Sequence, residues 1–263
     1  MNISFIGFGN MAKAMAQGLA QNKSINLSAS APSLSNKTTE HNIQTYNNNL
    51  SVIPNTDVLI LAVKPKQMPL VLNEIKQITL PDHCLVISIA SGLKLSWFEK
   101  HLTNTAIVRA MPNIAVATQQ SATPLKANQW VSNEQKLKAE QLFNQLGITT
   151  WIDKEEAIDA FTALSGSGPA YVFLFMEAMI KAAINLGIRR DLAEKFTLQT
   201  LHGALSLASQ TNANLSDLRE SITSSGGTTE AALHVFKQQE LEGLIEKAMC
   251  AAYQRAQQLG IKE

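Results

Sequence analysis

Short apolar runs recur through the first half of the chain: ISFIGF, DVLILAV, CLVISIA and TAIVRAM. Each is near-continuous and often β-branched, the pattern of strands buried on both faces of a parallel sheet. Between them the apolar positions fall at helical spacing, as in KQMPLVLNEIKQI and SNEQKLKAEQLFNQLG. The latter has Ser132 where an N-cap belongs and Gly147 just past its end. Strand–helix alternation of this kind predicts an α/β domain with right-handed crossovers. Near Trp151 the period changes. AIDAFTALSGSGPAYVFLFMEAMIKAAINLG, DLAEKFTLQTLHGALSLASQ, LSDLRESI and ELEGLIEKAMCAAYQRAQQLG all read as helices, and no strand is expected beyond Asp153. The expected division is an α/β domain over residues 1–152 and an all-helical domain over residues 153–263.

Composition narrows the function. The chain has 263 residues, a hydrophobic share of 45% and a formal net charge of +1. A full core is therefore expected, and a nucleic-acid or membrane-surface binder is not. Its two cysteines, Cys84 and Cys250, lie far apart and have no CxxC partner. That argues against a disulfide framework or a zinc site and suits a reducing compartment, so a cytoplasmic location is expected. The start, MNISFIGFGN, lacks a basic segment before an apolar one, so no signal peptide is expected. AYVFLFMEAMIKAAI is broken by Glu177 and Lys181; it is expected to be a buried helix, short of the roughly 20 apolar residues that a bilayer needs.

The first motif is ISFIGFGNMAKAMAQGLA. Gly7, Gly9 and Ala12 form GxGxxA between a strand and a helix. Gly7 permits the tight turn, Gly9 lets a pyrophosphate approach the backbone, and Ala12 lets helix and strand pack closely. The helix start offers free N–H groups to phosphate, so Gly7, Phe8, Gly9, Asn10 and Met11 are candidate dinucleotide contacts. The fold expected is a Rossmann-type doubly wound sheet. On the next strand Ser28, Ser30 and Ser33 stand where an NAD site places an acid. Hydroxyls accept a 2′-phosphate that a carboxylate would repel, with Lys37 as a further aid, so NADPH is expected, with NADH as the alternative. LAVKP places Ala62, Val63, Lys64 and Pro65 at a strand's C-terminal end, SIASG places Ala90, and RAMPN places Met111, Pro112 and Asn113. Each is also an ordinary loop start, but together they mark one edge of the sheet.

In the helical half, ALSGSGPAYVF interrupts a helical pattern. Pro169 predicts a kink, and the small residues suit close helix contact or the floor of a ligand site. His202 on an apolar helix reads as a core residue. LSDLRESI should be capped by Asn214 or Ser216. It leads into TSSGGTT, where Gly226 and Gly227 allow successive N–H groups to point one way before a helix from about Glu230. Such a nest at a helix start captures anions; the same residues also suit a plain linker with ST-turns and an N-cap. HExxH, GxSxG, a His–Asp pairing and a metal cluster are all missing from the sequence.

IGFGNMA, AVKP, SIASG, RAMPN, ALSGSGPAYVF and TSSGGTTEAAL occur in the order and rough spacing of the pyrroline-5-carboxylate reductase family, which the chain resembles nearly end to end. The resemblance implies reduction of a cyclic imine to proline by NADPH or NADH. It also implies a homodimer with active sites at the subunit interface and a helical domain devoted to dimerisation. By position, Ser224 and the amides of Gly226, Gly227 and Thr228 would hold the substrate carboxylate, and Thr229 would meet the ring nitrogen as the catalytic residue. Asn49 would contact the cofactor. The family usually has Pro where this chain has Ser225, and no basic residue for the 2′-phosphate is obvious. Two other readings are a β-hydroxyacid-type dehydrogenase using Lys181, which lacks a glycine-rich surround, and a non-catalytic NADP-binding sensor, for which the hydroxyl–glycine loop has no use.

Overall fold

The computed structural model describes residues 1–211 and 213–259; the end of the expected helical domain, residues 260–263, lies outside them. Two compact units emerge. One comprises Met1–Pro169 with the described part of Ala251–Glu263, the other Ala170–Cys250.

The first unit is built on a sheet of nine strands: β1 Asn2–Ile6, β2 Asn26–Ser30, β3 Lys37–Thr38, β4 Ile43–Tyr46, β5 Val58–Leu61, β6 Leu85–Ser88, β7 Ile107–Ala110, β8 Ser121–Ala127 and β9 Gly147–Trp151. Their order is β3-β4-β2-β1-β5-β6-β7-β8-β9. Strands β4, β2, β1, β5, β6 and β7 run parallel. That is the doubly wound order, with the chain reversing direction across the sheet between β1 and β5. β8 then pairs antiparallel with β7, and β9 parallel with β8.

The apolar runs are continuous because both faces of the sheet are covered. Ile3, Phe5, Val58, Ile60, Ile87 and Val108 join one core with Ala12, Met15 and Leu19 of α1 (Asn10–Leu19). Leu59, Leu61, Val86 and Ile107 join the opposite core with Val71 and Leu72 of α2 (Met68–Ile75) and Phe98 of α3 (Leu95–His101). Helix α4 (Asn133–Asn144) covers the first face through Leu142 and Phe143. Ser132 caps it as expected, in a reciprocal capping box with Gln135. Gly147 has a different role: it starts β9 at φ +144, and a Cβ there would meet the Ser121 carbonyl oxygen at 2.0 Å. Cys84 lies in the second core, where burial pushes its thiol up to about 12.

Among the described residues no strand follows β9. Helix α5 (Ala157–Phe161) passes into a π-helical turn, Thr162–Gly166, and then α6 (Gly168–Asn185). The expected break is thus one wide turn, closed by Ser167 N–H donating to the Thr162 carbonyl at 2.8 Å. The rest is α7 (Arg190–Gln210), α8 (Leu215–Ser221) capped by Asn214, α9 (Thr228–Gln238) and α10 (Leu241–Gln258).

Two expectations are corrected here. The apolar helix is not buried: Phe173, Leu174 and Phe175 on α6 are all exposed, and so is His202 on α7. Nor is the stretch short, since Ala157–Asn185 is long and apolar enough, by length and composition, to cross a bilayer. Helical periodicity reports an apolar face but not what covers it, and among the described residues this face is left largely uncovered.

Candidate active site

The C-terminal ends of β1, β2, β4, β5, β6 and β7 share one edge of the sheet, and most of the candidate cofactor residues lie there. Gly7 turns at φ +88, its N–H donating to the Ser30 carbonyl at 2.8 Å. A Cβ on Gly7 would stand 2.6 Å from Val63 Cγ1, so only glycine lets the β1 and β5 ends lie this close. Gly9 is the N-cap of α1, with no side chain bonded to the free N–H groups of that turn. Nothing lies within 4 Å of a Cβ built on it, so the backbone there is open. Asn10 is exposed beside it, Met11 is half-buried, and Phe8 packs edge-on against Phe5 at 6.3 Å. An open helix start after a glycine turn fits a dinucleotide diphosphate.

The serines of β2 divide. Ser28 pairs with Ser4 Oγ at 2.9 Å, and Ser4 donates to the Val52 carbonyl, so Ser28 is spent inside the fold. Ser30 is fully buried and donates to Asn49 Oδ1 at 2.8 Å. Asn49 Nδ2 in turn donates to Glu74 Oε2 on α2 at 2.6 Å. The amide orientation follows, because a carboxylate only accepts. Lys37 lies on the edge strand β3, opposite Thr45 of β4.

Lys64 is exposed and caps the short helix Pro65–Gln67. Ala90 is buried behind β6, and Ala62 and Val63 are half-buried. Pro112 is buried, and Met111 lies against Gly166 of the π-turn. Asn113 is heavily engaged: Nδ2 donates to the Ser165 carbonyl at 2.8 Å and Oδ1 accepts from Ala115 N–H at 3.0 Å. It joins the end of β7 to the π-turn. Next to it Arg109 is buried with Glu155 at 2.9 Å and Asp159 at 3.7 Å. Burial, partly offset by Arg109, holds the Asp159 carboxyl above its ordinary range.

The hydroxyl–glycine loop belongs to the second unit. Gly226 sits at φ +72, and Gly227 is the N-cap of α9, which begins at Thr228, two residues earlier than expected. Gly227 N–H closes a turn on the Ser224 carbonyl at 3.0 Å. A Cβ on Gly227 would meet Ser224 Oγ at 2.5 Å. Gly226 N–H donates to Glu230 Oε2 at 2.7 Å. Two of the nest's amides therefore already have partners, one of them a carboxylate. Glu230 was missed in the sequence although its signal was there, an acid three residues past an N-cap. Glu74 left no such signal.

Comparison with known proteins completes the picture. Residues 155–259 match the family described as pyrroline-5-carboxylate reductase dimerisation. Residues 2–92 match the family described as NADP oxidoreductase coenzyme F420-dependent. Over 98% of its length the chain is 40% identical to a pyrroline-5-carboxylate reductase of Pseudomonas aeruginosa, covering 96% of it. The chain belongs to the pyrroline-5-carboxylate reductase family. A Vibrio alginolyticus member is 37% identical, with 98% and 97% of the two chains covered. The family member from Coxiella burnetii superposes with a TM-score of 0.90 at 40% identity and 99% coverage of each chain. One from Plasmodium falciparum, solved with NADP bound, gives 0.90 at 30% identity, covering 99% of this chain and 98% of that one. The family's dimerisation region spans the helices whose apolar faces stand exposed in the single chain.

Proposed function

We propose that this chain reduces the C=N bond of 1-pyrroline-5-carboxylate to L-proline with NADPH, the last step of proline biosynthesis. The reading is carried by one observation: the chain pairs the open glycine turn of a doubly wound sheet with the Ser224–Thr229 loop, within a likeness to the family that runs end to end. In this proposal residues 1–152 bind the dinucleotide and residues 153–263 dimerise and bind substrate. The active site forms where the dinucleotide edge of one copy meets the loop of its partner. The reaction takes place in the cytoplasm, and the exposed helical face meets a second copy rather than lipid or nucleic acid.

The N–H groups from Gly9 to Met11 hold the diphosphate, with Phe8 closing the turn. Asn49, oriented by Ser30, meets the adenosine ribose. Ala62 to Pro65 and Ala90 border the nicotinamide, and Met111 to Asn113 form the wall beside it. When bound, the dinucleotide supplies a hydride. The substrate carboxylate takes Ser224 Oγ, the Thr228 N–H and the Gly226 N–H in place of Glu230, while the Gly227 N–H keeps the turn closed. Exchanging one carboxylate for another keeps the N–H satisfied, so binding leaves no orphaned donor. Thr229 Oγ1 holds the ring nitrogen. That nitrogen is protonated before reduction, so the site needs no strong acid, and orientation supplies most of the rate.

The test is direct: mix purified protein with NADPH and the imine, follow nicotinamide absorbance and identify the product. Oxidation of NADPH with formation of L-proline is expected. NADPH left unoxidised would overturn the proposal. Oxidation of NADPH with a 3-oxo acid but not with the imine would return the reading to a β-hydroxyacid-type dehydrogenase.

A further inference from the structure

In doubly wound sheets the adenosine ribose lies at the C-terminal end of β2, and an acid there rejects a 2′-phosphate. β2 of this chain offers no acid at its end, only the buried Ser30. A carboxylate nevertheless reaches the same edge from α2. Glu74 Oε2 accepts from Asn49 Nδ2 at 2.6 Å, and Asn49 Oδ1 accepts from Ser30 at 2.8 Å. Ser30 and Asn49 are joined in this relay, and Glu74 is its exposed end. With a dinucleotide bound at this edge, the relay would fix the face that the Asn49 amide turns to the ribose and would set a negative charge beside it.

We propose that Glu74 determines how far the chain prefers a 2′-phosphorylated dinucleotide, holding that preference down so that NADH remains usable. The inference rests on the dinucleotide reading above. Glu74 acts through Asn49 by hydrogen bonding and on the 2′-phosphate by charge. A phosphate of about two negative charges held within a Debye length of a water-exposed carboxylate would be disfavoured by about three- to tenfold. A free 2′-hydroxyl carries no charge and meets no such repulsion.

Glu74→Gln separates the two roles, because the glutamine oxygen still accepts from Asn49 while the charge is gone. The test is calorimetric titration of the full-length native protein and of Glu74→Gln with 2′,5′-ADP and with 5′-AMP, at low and high salt. Expected is a gain for 2′,5′-ADP of about three- to tenfold in the variant, with 5′-AMP unchanged. The gain should shrink at high salt. In turnover, KM for NADPH should fall relative to KM for NADH. An unchanged ratio between the two nucleotides, or an equal shift in both, would overturn the role of Glu74. If neither nucleotide binds the native protein, the dinucleotide reading itself fails, and this inference with it.

Discussion

Glu230 reaches back from the third residue of α9 to the Gly226 N–H, so the loop proposed to hold the substrate carboxylate already holds one of the chain's own. Glu230→Ala should free the donor and lower KM for the imino acid several-fold with little change in kcat; steady-state kinetics would show it, and a raised KM would mean that the tether only orders the loop. Thr229 carries a different burden. Thr229→Ala should lower kcat by about 100-fold through misorientation of the ring, while NADPH binding by fluorescence stays intact. Full activity in that variant would remove Thr229 from the chemistry. At this scale the sequence was legible where a residue type has few uses. Gly7 and Gly9 lie in the turn their spacing implied. Side chains with several uses were not legible: Ser28 is locked to Ser4, and Asn113 is tied to Ser165 and Ala115.

At the scale of elements, a buried charge group fastens the chain where the sheet gives way to helices. Arg109 of β7 holds Glu155 at 2.9 Å, and Glu155 also accepts from Leu95 N–H at the start of α3. Glu155→Ala leaves Arg109 buried with only the longer Asp159 contact, and should cost about 3 kcal/mol in urea unfolding. Asp159→Asn should be nearly neutral, with a pH signature. The folded-state pKa of Asp159 lies above its unfolded value. The folded state therefore binds the extra proton, and this group's contribution declines as pH rises from the ordinary aspartate range through the folded pKa. Asp159→Asn should flatten that decline in stability measured against pH. The central strands and α1, α2 and α4 could be read because each carries a strong periodic face. β8 and β9 could not. Pro124 argues against a strand, yet it lies at the end of the β7 ladder, where its carbonyl accepts from Met111 N–H at 3.2 Å and its ring nitrogen, which has no N–H, is not called on to donate. β9 alternates between half-buried and exposed positions with none fully buried, as an edge strand does.

For the whole molecule, the exposed apolar faces matter most. Leu174 on α6 and Phe196 on α7 are each 67% exposed in the single chain, and Leu244 and Ile245 on α10 are exposed too. Their extent exceeds what a monomer leaves to water, and they fall within the family's dimerisation region. Leu174→Glu should shift the protein toward monomer in analytical ultracentrifugation and abolish turnover, with dinucleotide binding retained. The central claim is that one copy's dinucleotide edge and its partner's Ser224–Thr229 loop build each active site. It is tested most directly by pairing two inactive chains, Gly7→Val and Thr229→Ala, co-expressed with different tags and purified as the mixed dimer. A symmetric dimer of this kind then holds one site with both halves native and one with both altered, so about half the native activity per dimer should return. Mixed dimers as inactive as either parent would contradict the account.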